Sequence, residues 1–577
     1  MQSETKNCQN CKKDFTIETE DFNFYEKIKV PPPTFCPECR LVRKMVFRNE
    51  RSLYKRKCDL CQKDAFSMYP AGTKFPVYCH DCWWSDKWDP LSYGRDYNFN
   101  KFFFEQFKEL YNSVPKASLI HYPPNENVTW SNFIRRGKNI YLSYSISTVG
   151  SMGSEDVYYS YSADGSKNCF DCSILQKGEN CYENIEGFQN YNSYFLIRSR
   201  DCLDSAFLFD CVNCQKCFMS SNLRNGKYVF YGQQLSKEEY EEKLKNINSG
   251  SAKNVKVLKK EFDNLILKAI HKFANITKAV NCTGDDIINS KNTHYSFNVH
   301  NDEDCKYLVR AFLLKGSMDV QVANSGELDY EAISPGLNSF KFLFSMFGSN
   351  DSRETSYSNE IQNSSNLFAC LGLRNKEYCI LNKQYAKDEY EALVPKIIQH
   401  MKDMPYTDKL GKIYKYGEFF PPEFSPFGYN ETVAQEFFPS NAQTAGKFGY
   451  NWKVKEARNR PQPTILPENL PDHIKDVPDS IIKEIIACEH KGECDEQCTS
   501  VFKIVQTELE FYRHINLPLP RLCPNCRHYQ RLKQRNPLKL WHRKCMKEGC
   551  TNEFETSYAP DRPEKVYCER CYQQEVY

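Results

Sequence analysis

No apolar run in the 577 residues approaches the length of a bilayer-spanning helix, which excludes a helical membrane protein on sequence grounds. The polar stretch Met1–Lys13 holds no apolar segment of the kind that directs secretion, and the two absences together give the expectation of a soluble cytoplasmic protein. Net charge is nearly absent: 77 Lys and Arg against 74 Asp and Glu leave +3, so charge-driven binding must come from local segments. No Ser-His-Asp arrangement and no metal-dependent hydrolase motif is found. The enzyme alternative, a glycan-acting β-helix that needs paired carboxylates in one groove, therefore falls back on scattered acids such as Asp164, Asp171, Glu183 and Asp204.

What the chain has instead is 28 cysteines, 14% aromatic residues and a 40% hydrophobic content, enough for several cores. Most cysteines at the two ends come in close pairs. The first end carries Cys8/Cys11, Cys36/Cys39, Cys58/Cys61 and Cys79/Cys82. The last carries Cys494/Cys498, Cys523/Cys526, Cys545/Cys550 and Cys568/Cys571. The intervals between successive pairs are 24, 18 and 17 residues in both segments, so the module is duplicated. Two cysteines on a tight turn reach one ion, two such turns complete a tetrahedron, and four soft thiolates suit Zn²⁺. The expectation is four zinc ions at closed, structural sites. Spacing leaves sequential and cross-braced pairing both open. It also leaves open whether Cys488 or His490 takes the place of Cys494, which is assigned here as the ligand.

Residues 8–44, with Cys8-Gln-Asn-Cys-Lys-Lys-Asp-Phe15 and Pro33-Thr-Phe-Cys-Pro-Glu-Cys-Arg40, resemble the treble-clef zinc-ribbon family of bacteria. The whole chain resembles uncharacterised zinc-ribbon proteins of candidate-phylum bacteria, Leu373-Arg-Asn-Lys-Glu-Tyr-Cys379 and Gly417-Glu-Phe-Phe-Pro-Pro422 included. The resemblance implies zinc binding, brings no settled activity, and favours sequential pairing.

The fold class expected is mainly β, a duplicated parallel β-solenoid between two zinc modules. From about residue 127 a motif of Asn or Asp, an apolar residue or Cys, two variable residues and a small residue recurs, as in Asn168-Cys-Phe-Asp-Cys172. Many steps are 12 residues, and two steps are taken as one coil. Asn or Asp is assigned to left-handed corners. The boundaries expected are a zinc module over 1–90, solenoid segments over 120–235 and 276–385, and a helical connector over 236–275. A helix and a Pro- and aromatic-rich linker follow over 386–480, and the second module covers 485–577. Solenoid cysteines such as Cys169, Cys172, Cys181 and Cys202 read as an inward stack of small thiols, with Cys211, Cys214 and Cys217 the exception that could bind metal.

Each module is strongly basic between its second and third pairs. Arg40, Arg43, Lys44, Arg48, Arg51, Lys55, Arg56 and Lys57 face only Glu50 in the first; Arg527, Arg531, Lys533, Arg535, Lys539, Arg543 and Lys544 face no acid in the second. Tyr54 and Trp541 occupy equivalent positions and could stack on a base. Two functions follow. These residues contact nucleic acid, either RNA or DNA or the ribosome. Alternatively they balance the charge of thiolate-bound zinc and nearby acids such as Glu18, Glu20 and Asp21, leaving a scaffold that assembles other proteins along the solenoid.

Overall fold

The computed structural model describes residues 2–147, 152–454 and 461–577. Its middle, 121–380, is a pair of parallel β-solenoids, one 16-stranded and one 15-stranded. No helix among the described residues is long and apolar enough to cross a membrane.

The coil is half the size that two motif steps would give. Cys169 pairs with Cys181, Ser173 with Ile185 and Lys291 with Glu303, so one 12-residue step is one coil. The reason is a period of three, not two. From Asn168 to Tyr231 every third residue lies in the left-handed region, among them Asn168, Asp171, Ile174, Lys177 and Asn180. The residue after each points inward: Cys169, Cys172, Leu175, Cys181, Leu196, Cys202 and Leu208 are essentially inaccessible. Four three-residue sides make a narrow bore, filled by Cys, Ser, Ala and Gly interleaved with Leu and Ile. Inward hydroxyls also close the backbone. Ser160 Oγ donates to Tyr158 O at 2.9 Å and accepts the Cys172 N–H, one coil on, at 3.0 Å.

Asn and Asp sit at left-handed corners as the motif requires, and they bond each other from coil to coil. Asn168 donates to Asn180 at 2.6 Å, and Asn292 donates to Asp304 at 2.7 Å. The inward thiols of Cys169, Cys172, Cys202 and Cys211 donate to backbone carbonyls. Among the described residues Cys211, Cys214 and Cys217 belong to no metal-type cluster.

Each solenoid ends in a short antiparallel turn and a helix, Lys237–Lys245 after the first and Lys387–Asp403 after the second. A further helix, Ala252–Lys268, leads into the second solenoid. Another, Phe103–Ser113, precedes the first and buries Phe103, Phe104, Phe107 and Leu110. In the aromatic segment after the second solenoid, Tyr414, Phe419, Phe420 and Phe427 are buried in one core with the first module.

Candidate metal centres and the basic helices

Every site is built from the same local parts. A hairpin, Glu4–Asn7 with Asp14–Ile17, carries Cys8 and Cys11 on its turn. Cys36 then caps the helix Pro37–Met45, whose first turn holds Cys39; Pro37 suits the first helical position because its missing N–H had no partner to lose. The positive end of that helix favours thiolates. Cys79, Cys523 and Cys568 cap helices in the same way.

The thiols converge in sequential groups: Cys8, Cys11, Cys36 and Cys39; Cys58, Cys61, Cys79 and Cys82; Cys488, Cys498, Cys523 and Cys526; and Cys545, Cys550, Cys568 and Cys571. A tetrahedron with Zn–S bonds of about 2.3 Å has edges of about 3.8 Å. The Sγ pairs Cys11–Cys36, Cys61–Cys79 and Cys550–Cys568 stand 3.7, 3.8 and 3.9 Å apart. All of these cysteines are free thiols. The donor sets therefore fit zinc, and each leaves no coordination position for a substrate.

The third group differs from the expected ligand set. In each site the first cysteine accepts the backbone N–H of the third, at 3.3 Å for Cys8, 3.2 Å for Cys58 and 3.3 Å for Cys545. In the third site that acceptor is Cys488, which takes the Cys523 N–H at 3.2 Å. Cys494 lies beside the group instead. The knuckle is expanded: nine residues separate Cys488 from Cys498, where two separate Cys8 from Cys11.

The basic residues do not form a cationic surface. Arg40, Arg43, Lys44, Arg48 and Arg51, and in the other module Arg527, Arg531 and Arg535, are all buried. The helix that begins with the metal ligands drives them into the solenoids. Arg40 bonds Asp319 at 2.8 Å, and Arg43 bonds Glu331 at 2.8 Å and Glu418 at 2.9 Å. Lys44 lies 3.8 Å from Asp319 and 3.9 Å from Glu331. Burial pulls the Lys44 ammonium below its usual range, the two carboxylates opposing. In the other module Arg531 bonds Asp171 at 2.6 Å, Arg527 meets Asp171 at 3.4 Å and Glu508 at 3.3 Å, and Arg535 meets Glu186 at 3.2 Å. Each cluster sets three cations against three carboxylates. Asp21, one of the acids expected to neutralise the stretch, binds Lys306 at 2.8 Å instead.

The docking is reciprocal. The Pro37–Met45 helix of the N-terminal module meets the second solenoid through Asp319 and Glu331, while the Pro524–Lys533 helix of the C-terminal module meets the first through Asp171. The second sites reach the opposite partners. Val77–Tyr78 pairs with Lys116–Ala117 ahead of the first solenoid, and Lys565–Tyr567 pairs with Ile270–Lys272 ahead of the second. Arg48 spans both solenoids, donating to Ser145 at 2.9 Å and Ser334 at 2.6 Å, and it contacts Glu50.

Of the remaining candidates, Lys57 and Lys544 are exposed and ion-paired to Asp64 and Glu553 on their own hairpins. Arg56 binds Asp59 at 2.7 Å and Arg543 donates to Ala559 O at 3.1 Å. Tyr54 contacts Glu431, and Trp541 is half-buried beside Lys539. The acids considered for catalysis are also engaged: Asp171 as above, Glu183 with Lys259 at 2.7 Å, and Asp204 with Asn192 at 2.7 Å. Asp164 is buried, with the Ser162 hydroxyl at 3.4 Å.

Neither a family model nor a curated protein matches the chain. Among solved structures it is similar to one described as a "putative acetyltransferase" from Desulfovibrio desulfuricans G20, at 8% identity and a TM-score of 0.09 over 49% of this chain and 72% of that one.

Proposed function

We propose that the protein is a zinc-stapled scaffold whose terminal modules clamp two solenoids together and leave the solenoid faces for protein partners. The observation that carries this reading is where the modules spend their charge: eight of the fifteen basic residues in the two stretches are buried, in or beside ion pairs with carboxylates. Zinc is the metal that four thiolates at tetrahedral spacing select. It would fix the helix N-terminus, and the helix body then delivers Arg40 and Arg43, or Arg527 and Arg531, to a solenoid. The hairpin, knuckle and helix order also supports the treble-clef resemblance.

Nucleic-acid binding then rests on Lys55, Arg56, Lys57, Lys533, Lys539, Arg543 and Lys544 with the two half-buried rings, and five of these seven cations are already paired with carboxylates, which weakens any counterion-release term. A gel-shift titration of the full chain at two salt concentrations tests the choice. The scaffold reading expects no salt-dependent shift of RNA or DNA. A shift at low salt that Lys55→Glu, Lys57→Glu and Lys544→Glu together abolish would reinstate the nucleic-acid reading.

A further inference from the structure

The expanded knuckle of the third site carries its own set of ligand-type side chains. The insertion reads Cys488-Glu-His-Lys-Gly-Glu-Cys-Asp-Glu-Gln-Cys498, seven residues longer than the knuckle at Cys8. It folds back on itself through Lys491 N to Cys488 O at 2.8 Å and Glu493 N to His490 O at 2.9 Å, with Lys491 and Gly492 in the left-handed region. That double turn brings His490, Cys494 and Glu496 to Cys526, all four ligand atoms within 4.8 Å of one another.

Two independent observations point to an ion among them. The first is the spacing. Cys494 Sγ lies 3.7 Å from Cys526 Sγ, and His490 Nδ1 lies 3.3 Å from Glu496 Oε2. A tetrahedron with Zn–S of about 2.3 Å and Zn–N and Zn–O of about 2.0–2.2 Å has edges of about 3.8 Å between sulfurs and about 3.4 Å between nitrogen and oxygen. The second is the unmet polarity. Glu496 is 8% exposed; its Oε1 takes Lys533 at 2.5 Å, while its Oε2 faces only His490 Nδ1, at ion-pair distance and without hydrogen-bond geometry on either atom. A ring nitrogen that presents its lone pair to a buried carboxylate oxygen at 3.3 Å is repelled by it, and a cation bound to both removes that cost.

We propose that the C-terminal module binds a second zinc ion through His490, Cys494, Glu496 and the Cys526 thiolate, with Cys526 bridging it to the ion of the four-cysteine site. Cys526 already stands 3.9 Å from Cys488 and 3.5 Å from Cys523, so one sulfur serves both tetrahedra. The charge is consistent: two Zn²⁺ against five thiolates and one carboxylate leave −2, the same as a single four-thiolate site. With a nitrogen and an oxygen ligand and a partly exposed His490, this ion is the one a chelator removes first. Among the described residues the N-terminal module has no counterpart, because its Cys8–Cys11 knuckle lacks the inserted residues.

The inference rests on the four cysteine sites, and the test separates the two. Zinc is counted by native mass spectrometry of the full chain, wild type and the triple variant His490→Ala, Cys494→Ser, Glu496→Gln. The expected counts are five and four. Wild type at four, or a triple variant still at five, overturns the inference and leaves the modules standing. Three or fewer in the wild type overturns the modules and the inference with them. Should the triple variant fail to fold, alkylation of the wild type decides: Cys494 should resist iodoacetamide until one equivalent of zinc has been withdrawn, and labelling before any zinc is lost overturns the proposal.

Discussion

The two terminal modules repeat the same intervals and the same hairpin-and-helix parts, yet each grips the solenoid that lies further along the chain from it. The N-terminal helix reaches Asp319 and Glu331, and the C-terminal helix reaches back to Asp171. Duplication followed by reciprocal docking turns four separate units into one closed body, because neither solenoid can leave without breaking contacts to both modules. The difference between the modules lies in their knuckles, tight at Cys8 and expanded at Cys488. The lesson is that an equal cysteine interval preserves the helix that docks, while the knuckle is free to change.

The largest expected effect tests the reciprocity. Structural zinc contributes on the order of 10–16 kcal/mol to folding of small zinc modules. Cys36→Ser should unfold residues 8–39 and also expose the second solenoid near Asp319 and Glu331 to hydrogen exchange. Cys523→Ser should expose the first solenoid near Tyr159 and Asp171. Exchange confined to the mutated module in both variants would break the comparison.

Next come the buried carboxylates on which the helices rest. Removing one partner of a buried ion pair costs about 3–5 kcal/mol, because the remaining charge is left without compensation. Glu331→Ala should fall at the upper end, since Arg40, Arg43 and Lys44 all lie within 4 Å of it. Asp171→Ala, which leaves Arg527 and Arg531, should cost somewhat less. Chemical denaturation of the two variants side by side ranks them, and equal or negligible losses would mean that the clusters do not hold the modules.

How much of this was legible in the sequence depends on range. The cysteine intervals and the Asn and Asp corners are local signals, and both survive in the structure. The destinations of Arg40 and Arg531 were not legible, because Asp319 and Asp171 lie 279 and 360 residues away. Basic stretches without neighbouring acids therefore looked like surface. The coil size is not legible either, because the inward position carries Cys, Ser, Asn, Gly and Leu by turns, which leaves no apolar period to count. Cys488 was obscured by the insertion that moved it away from Cys498.

The solenoid cores invite a pH test. Asn190 and Asp302 both occupy inward positions, one in each solenoid. Asn190 is satisfied on both sides, accepting from Cys202 N at 3.1 Å and donating to Ser199 O at 2.9 Å. Asp302 accepts from Leu314 N at 2.6 Å, but its second oxygen has no partner, and burial pushes its carboxyl up from 3.8 to about 7. A folded pKa above the unfolded one means that the folded state holds the proton more tightly. The penalty is absent below pH 4, grows as pH rises, and is complete above pH 7, where it reaches at most about 4 kcal/mol. Asp302→Asn should therefore stabilise the protein at pH 8 and change little at pH 4. A variant less stable than wild type at pH 8 would show that the carboxylate is compensated.

The smallest effect concerns the corner ladders, which run along both solenoids. Asn292, with φ 49°, accepts from Asn281 at 3.0 Å and donates to Asp304 at 2.7 Å. Its role divides into a conformational part and a bonding part, and two substitutions separate them. Glycine takes the left-handed region freely but bonds nothing, so Asn292→Gly isolates the ladder, about 1 kcal/mol at a solvent-exposed position. Alanine also bonds nothing and is strained at this φ by a further 1 kcal/mol or so. The counterpart Asn180, at φ 52° and bonded by Asn168, should follow the same order. Thermal denaturation of the four variants provides the measurement. If alanine equals glycine at both positions, the left-handed corner is not what selects asparagine there. If glycine equals wild type, the ladder contributes nothing and the corner conformation alone explains the recurring Asn and Asp.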